Sequence, residues 1–176
     1  MAQLFVISAP SGTGKTSLIY KVLEEDIASK TKLGISCTTR VRRKNEEEGV
    51  AYFFLNEEEF NTKVDEGNFL EYAKVFGNLY GTPKDWVVST ISKGFNVVLE
   101  LDVQGAIQVK KAYPNAKTIF IIPPSYNDLK NRLVQRDQDS EETIEKRLSE
   151  AEQEIIYGKD FDHLITNDDF DLAFKD

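Results

Sequence analysis

Two hydrophobic periods alternate along the 176-residue chain, and the switches between them mark out its elements. Leu4-Phe5-Val6-Ile7 is a short apolar run that predicts a buried strand. Leu18, Ile19, Val22 and Leu23 then recur at helical spacing over residues 16–25. A polar connection, 26–32, leads to Leu33-Gly34-Ile35-Ser36, a second short strand. Residues 37–43 and the charged stretch 44–49 predict a loop, mobile by composition. The β-formers of 50–55 (VAYFFL) follow. Asn56 predicts a helix start, with Glu59 as its capping-box partner and Phe60 and Val64 on one face. Residues 69–75 alternate as a strand does, Gly77-Asn78 signals a turn, and Leu79-Tyr80 predicts the returning strand.

Thr82-Pro83 predicts a cap and first position for the next helix, which Gly94 closes. Residues 96–101 (NVVLEL) read as a strand ending at Asp102, 103–112 as a helix, and 118–122 as a strand stopped by Pro123-Pro124. Ser125 and Asp139 each precede an acid by three residues, Asp128 and Glu142, and predict the starts of helices near 125–136 and 140–157. His163-Leu164-Ile165 is a last short strand, and Asp168 begins a further helix. Strands alternating with helices predict an α/β fold: a parallel sheet with helices on both faces. Its five core strands lie near Phe5, Ile35, Val98, Phe120 and Leu164. The stretch 36–82 predicts a small β-rich lobe and 125–158 a helical lid, inserted into a core of 1–35, 83–124 and 159–176 within one domain.

Composition narrows the chemistry. Apolar residues make up 40%, which is globular. A net charge of −8 argues against a nucleic-acid surface. Any anionic ligand must be held by local cations against the mean field. Cys37 is the only cysteine, so no disulfide within the chain and no cysteine-rich zinc site is expected. His163 is the only histidine, which leaves no histidine-based metal or triad site. No signal segment and no run of membrane-spanning length is found, so the expected location is cytoplasmic, with no membrane partner. The oligomeric state stays open between a monomer and a weak homo-oligomer.

Against that background one stretch stands out. Ala9-Pro10-Ser11-Gly12-Thr13-Gly14-Lys15-Thr16 reads A-x-x-x-x-G-K-T between a predicted strand and a predicted helix. This is the phosphate-binding loop of nucleoside triphosphatases and kinases, with Ala9 in place of the first glycine. Gly12 and Gly14 let successive N–H groups converge on one anion, and the helix start adds its positive end. The Lys15 ammonium reaches the β- and γ-phosphates, and the Thr16 hydroxyl is a ligand for Mg²⁺.

Further candidates follow from residue type and spacing. Arg40 and Arg43 flank a turn after a strand, and two guanidinium forks suit a phosphate monoester. Tyr52 and Tyr80 can add hydroxyl donors. Glu71 lies mid-strand, either as an outward-facing acid or as a carboxylate that accepts from a bound ligand. Ser36 and Thr82 can add hydroxyl donors, and Thr82 can also serve as a helix cap. Glu100 and Asp102, two apart, share one face of a strand and suit Mg²⁺ and its waters. Arg132 and Arg136, four apart on one helix, and Arg147 on the next are cations for a transferring phosphoryl group, unless they pair with Asp137, Glu141 or Glu150 at the surface.

Taken in order and spacing, the chain resembles guanylate kinase. The matching stretches are APSGTGKTS, S-C-T-T-R-x-x-R from Ser36, G-x-x-Y-x-F from Gly49 and FLEYA from Phe69. G-N-x-Y-G-T from Gly77, L-E-L-D-V-Q-G from Leu99, R-L-S-x-A from Arg147 and I-T-N-D-D complete them. The resemblance implies ATP + GMP ⇌ ADP + GDP with Mg²⁺, and dGMP as a further acceptor. It implies that Arg40, Arg43, Tyr52 and Tyr80 hold the GMP phosphate, and that Ser36, Glu71 and Thr82 form the guanine pocket. It places Asn167 near the adenine ring. The family usually carries Asp where this chain has Glu100; the expectation is Glu100 near the metal and Asp102 towards GMP. The expected mechanism is closure of the lobe on GMP and of the arginine helices on ATP, which excludes water without any general base. Two alternatives are a kinase of the same fold with another acceptor and a non-catalytic protein-binding module. The intact Gly14-Lys15-Thr16 speaks against the second.

Overall fold

The computed structural model describes residues 2–25, 29–75, 77–135 and 140–176. Arg136 and Asp139 therefore lie outside the described residues.

The apolar runs become the strands of one five-stranded parallel sheet. These are β1 (Leu4–Ser8), β2 (Thr31–Leu33), β7 (Asn96–Glu100), β8 (Lys117–Ile122) and β9 (His163–Thr166), in the order β2-β7-β1-β8-β9. β1 is central because it is the most uniformly apolar: Leu4 and Val6 are fully buried on one face. Ile7 packs on the other face with Leu18, Ile121 and Ala173. Chain order steps to β7 on one side of β1 and to β8 on the other, so the sheet has its topological switch beside the end of β1, where α/β folds bind ligands. Helices flank the sheet: α1 (Lys15–Glu24), α3 (Lys84–Ser92), α4 (Val103–Ala112), α5 (Tyr126–Gln135), α6 (Glu141–Gly158) and α7 (Phe170–Lys175).

Between β2 and α3 lies a second sheet. It contains β3 (Cys37–Thr38), β4 (Phe53–Phe54), β5 (Phe69–Val75) and β6 (Asn78–Pro83), ordered β4-β3-β6-β5, with α2 (Glu57–Asp65) beside it. β5 and β6 form the predicted hairpin, turning at Gly77 with φ +83°. Phe60 of α2 stacks on Phe69 of β5 at 4.5 Å. The capping box of α2 forms as read: Glu59 N donates to Asn56 Oδ1 at 2.8 Å, and Asn56 N to Glu59 Oε2 at 2.9 Å. β5 is the free edge of this sheet, and α4 covers it at one point. Gln108 Nε2 donates to Tyr72 O at 3.0 Å, while Tyr72 N donates to Gln108 Oε1 at 3.3 Å.

Contacts group the chain into two compact units. One comprises Met1–Phe5, Lys30–Leu99 and Gln104–Ala116; the other comprises Val6–Ser29, Glu100–Val103 and Lys117–Asp176. Among the described residues no helix is long and apolar enough to cross a membrane.

Three elements depart from the sequence reading. The second core strand is Thr31–Leu33, not 33–36. Pairing with β7 decides this: Thr31 opposes Asn96 and Leu33 opposes Val98, and Gly34 N still donates to Val98 O before the chain leaves the sheet. Thr82 does not cap α3; it lies within β6, and Pro83 occupies the cap position without a side-chain bond. The cap of α6 is Ser140, whose hydroxyl accepts from Thr143 N at 3.3 Å, one residue beyond the predicted Asp139.

Candidate active site

β1 ends at Ser8 and delivers the loop 9–16 to the start of α1. Gly12 and Gly14 adopt φ +94° and +93°, backbone that L side chains rarely enter. Space excludes a side chain as well: a Cβ on Gly12 would lie 2.9 Å from Leu133 Cδ2, and one on Gly14 2.7 Å from Asn167 Nδ2. The loop is held from inside, where the Thr13 hydroxyl donates to Pro10 O, and from outside, where Asn167 Nδ2 donates to Thr13 O at 2.6 Å. Gly14 caps α1 without a side chain, so the first N–H groups of the helix stay available to an anion.

Lys15 turns back to the end of β7. Its Nζ donates to Leu101 O at 3.1 Å and lies 3.8 Å from Glu100 Oε1. Burial pulls the Lys15 pKa down, and Glu100, Glu154 and Asp102 pull it back in part. The Thr16 hydroxyl donates to the same Glu100 oxygen at 2.5 Å. Hydroxyl, carboxylate and ammonium thus converge at the strand end. Among the described residues no cluster of three or more His, Cys, Asp or Glu forms a preformed metal site. An oxygen-rich corner of this kind suits a cation that takes its remaining ligands from water and phosphate.

The arginine helices meet the loop from the other side. α5 and α6 pack through Leu129, Leu133, Ile144, Leu148 and Ala151. From them Arg132 Nη2 donates to Asn167 O at 2.8 Å and Arg147 Nη1 to Ser11 Oγ at 3.2 Å. A cavity of ≈ 370 Å³ opens beside the loop, lined by Gly14, Ser17, Arg132, Asn167 and Phe170 among others.

The β-rich lobe carries a second cluster. Arg40 Cζ sits 5.4 Å over the Tyr52 ring, and the Tyr52 and Tyr80 rings meet edge to face at 5.9 Å. Arg43 is exposed. Deeper in the lobe Glu71 is 5% exposed and faces Thr82 across the β5–β6 hairpin. The Thr82 hydroxyl donates to Glu71 Oε1 at 2.6 Å. Glu71 is therefore not an outward-facing acid. Ser36 is half-buried beside β3, and its carbonyl accepts from Phe53 N at 2.9 Å.

Two functional candidates escaped the sequence. Glu46 sits in the run Glu46-Glu47-Glu48, which reads as solvated charge, yet its Oε1 lies 2.6 Å from Arg40 Nη2. Its pKa is held down, first by that hydrogen bond. Glu48 likewise accepts from Phe54 N at 3.1 Å, so the charged stretch expected to be mobile is tied at both of these acids. Glu154 shares a face of α6 with Arg147 and Ala151, at spacings of seven and three. Burial first, then the Asp102 and Glu150 charges, push its pKa up to about 7, with Lys15 opposing. The helical spacing from Arg147 was the one available signal for Glu154. For Glu46 there was none.

The structure thus groups Lys15, Thr16, Glu100, Arg132, Arg147 and Asn167 around the phosphate loop, within one unit of the chain. It groups Arg40, Tyr52 and Tyr80, and separately Glu71 with Thr82, within the other. Known proteins match this chain in sequence and fold. A family model described as guanylate kinase matches residues 1–176. A guanylate kinase of Hahella chejuensis is 52% identical over 99% of this chain and 83% of its own length. One of Vibrio parahaemolyticus is 50% identical over 98% and 84%. A crystal structure of guanylate kinase from Anaplasma phagocytophilum superposes with a TM-score of 0.75 at 30% identity, covering 99% of this chain and 81% of that one. With the phosphate loop, its strand-end acid and the buried Glu71–Thr82 pair in place, these matches show that the chain belongs to the guanylate kinase family.

Proposed function

We propose that the protein transfers the γ-phosphoryl group of ATP to GMP, giving ADP and GDP, in a Mg²⁺-dependent reaction. The observation that carries the acceptor is the buried Glu71 carboxylate with the Thr82 hydroxyl on it. A carboxylate accepts at both oxygens, and guanine offers two adjacent donors, N1–H and N2–H. Arg40, Arg43, Tyr52 and Tyr80 take the GMP phosphate, and Ser36 takes part in holding the base.

The loop N–H groups, Lys15 and the start of α1 bind the ATP phosphates, with the adenine ring in the cavity beside Asn167. Thr16 and Glu100 are the residues that would hold Mg²⁺, which would supply charge neutralisation. Asp102 serves GMP. Arg132 and Arg147 neutralise charge that spreads over the γ-phosphoryl oxygens as the bond to ADP loosens. The nucleophile is a GMP phosphate oxygen, ionised at neutral pH, so no general base is required. Alignment and exclusion of water supply the rest.

A coupled assay with Mg²⁺-ATP across GMP, dGMP, AMP, CMP and UMP tests this. GMP is expected to lead, with dGMP second. A different preferred acceptor would overturn the guanine assignment, and absence of turnover with every acceptor would favour a non-catalytic module.

A further inference from the structure

Glu46 uses both carboxylate oxygens. Oε1 lies 2.6 Å from Arg40 Nη2, and Oε2 accepts from Arg43 N at 2.9 Å. Glu46 N in turn donates to Arg43 O at 3.1 Å, so the acid is part of a turn that Arg43 closes. The pair is largely shielded, with side chains 15% and 17% exposed. Arg40 Nη1 donates to Val41 O at 3.0 Å, and the guanidinium lies over Tyr52. A guanidinium has five N–H donors; the Glu46 and Val41 bonds occupy one on each terminal nitrogen, and the Tyr80 side chain is a further hydrogen-bond partner. Donors therefore remain for an incoming anion, and the plane that carries them is already set.

An acid on a phosphate-binding arginine has two opposite meanings. It can stand in for the phosphate and leave when the phosphate arrives, or it can orient the arginine and stay. The second oxygen decides between them. A stand-in would be held by the arginine alone, whereas Glu46 cannot leave Arg40 without also releasing Arg43 N and opening the turn. We propose that Glu46 is a positioning residue for the acceptor phosphate, fixing Arg40 in its receiving orientation and remaining on it when the phosphate binds. The proposal rests on the reading of Arg40 as a ligand of the GMP phosphate.

The test is steady-state kinetics of the full chain with GMP and ATP varied in turn. Glu46→Gln should raise KM for GMP by about 10-fold, the weight of one charge-assisted contact, with KM for ATP unchanged. Inhibition by guanosine, which has no phosphate, should be unchanged. The double variant Glu46→Gln/Arg40→Lys should be no weaker than Arg40→Lys alone, because Glu46 acts through Arg40. A lowered KM for GMP would overturn the proposal in favour of a displaced stand-in. Additive losses in the double variant, or weakened guanosine inhibition, would reduce Glu46 to a support of the fold. If Arg40→Lys raises KM and Glu46→Gln does not, the Glu46 role falls alone. If Arg40→Lys leaves KM unchanged, the acceptor-phosphate reading falls and takes the Glu46 role with it. Should Glu46→Gln fail to fold, Glu46→Asp carries the same comparison, since it keeps the charge and draws it back by one methylene.

Discussion

The Thr82 hydroxyl donates to the Glu71 carboxylate at 2.6 Å, between neighbouring strands and with both residues buried. The bond engages one carboxylate oxygen and orients the group within the lobe. A threonine hydroxyl donates once and retains acceptor lone pairs, so it can also serve a ligand.

Glu71→Gln should lower kcat/KM for GMP by roughly 10–100-fold, the loss of one charge-assisted bond of ~1.5–3 kcal/mol. AMP should lose less, because adenine has no donor at N1 and the new amide can donate to it. The GMP-to-AMP ratio should therefore fall, and kcat/KM for both nucleotides at saturating Mg²⁺-ATP measures it. An unchanged ratio would remove Glu71 from base recognition.

Lys15→Ala should reduce kcat by roughly 10²–10³-fold, on the scale of removing one preorganised donor from developing charge. The fold should survive. Burial disfavours the ammonium, and Glu100 keeps its bond from Thr16. A thermal melt near that of the native protein beside a collapsed kcat is the expected pair of results; near-normal kcat would exclude Lys15 from catalysis.

Gly158→Ala should destabilise without touching substrate contacts. The last residue of α6 packs so closely on Phe120 that a Cβ would lie 2.3 Å from Cδ1 and 2.5 Å from Cε1. Phe120 is fully buried in β8 and has no room to retreat. Overpacking of this kind costs about 1–3 kcal/mol, so Tm should fall by about 2–10 °C for a domain of this size. Combining it with Phe120→Leu should cost less than the sum of the two single changes.

Glu154 should impress a pH dependence on stability. Its carboxyl is pushed up to about 7 in the folded protein, against about 4.3 for an unperturbed glutamate. Between those values the folded state binds more protons than the unfolded one, so stability falls as pH rises. Above the folded value the penalty is complete. Glu154→Gln removes this component, so its Tm should gain on that of the native protein from pH 5 to pH 7.5. Parallel Tm curves would mean that Glu154 is not buried against Asp102 and Glu150 in solution.

What the sequence alone determined is local. The phosphate loop, the Asn56–Glu59 capping box and the turn at Gly77 depend on neighbours within a few residues, and each appears where it was read. The helices and the strands β1, β5 and β7–β9 were legible because a period of 3.6 or 2 survives without knowledge of the partner. The bounds of β2 were not, since the β7 register sets them. The same limit governs the site. Thr16 meets Glu100 across 84 positions and Asn167 meets Thr13 across 154, so motif and spacing supplied Thr13, Thr16 and Glu100, resemblance supplied Asn167, and their contacts came from the sheet order. Thr82 looked like a cap because Thr-Pro before a helix is a local signal; hairpin pairing overrode it by giving the hydroxyl a buried carboxylate. Glu46 is close to Arg40 in sequence and was still illegible. In a run of three acids, composition cannot say which one the turn folds inward, and the Arg43–Glu46 backbone hydrogen bond makes that choice.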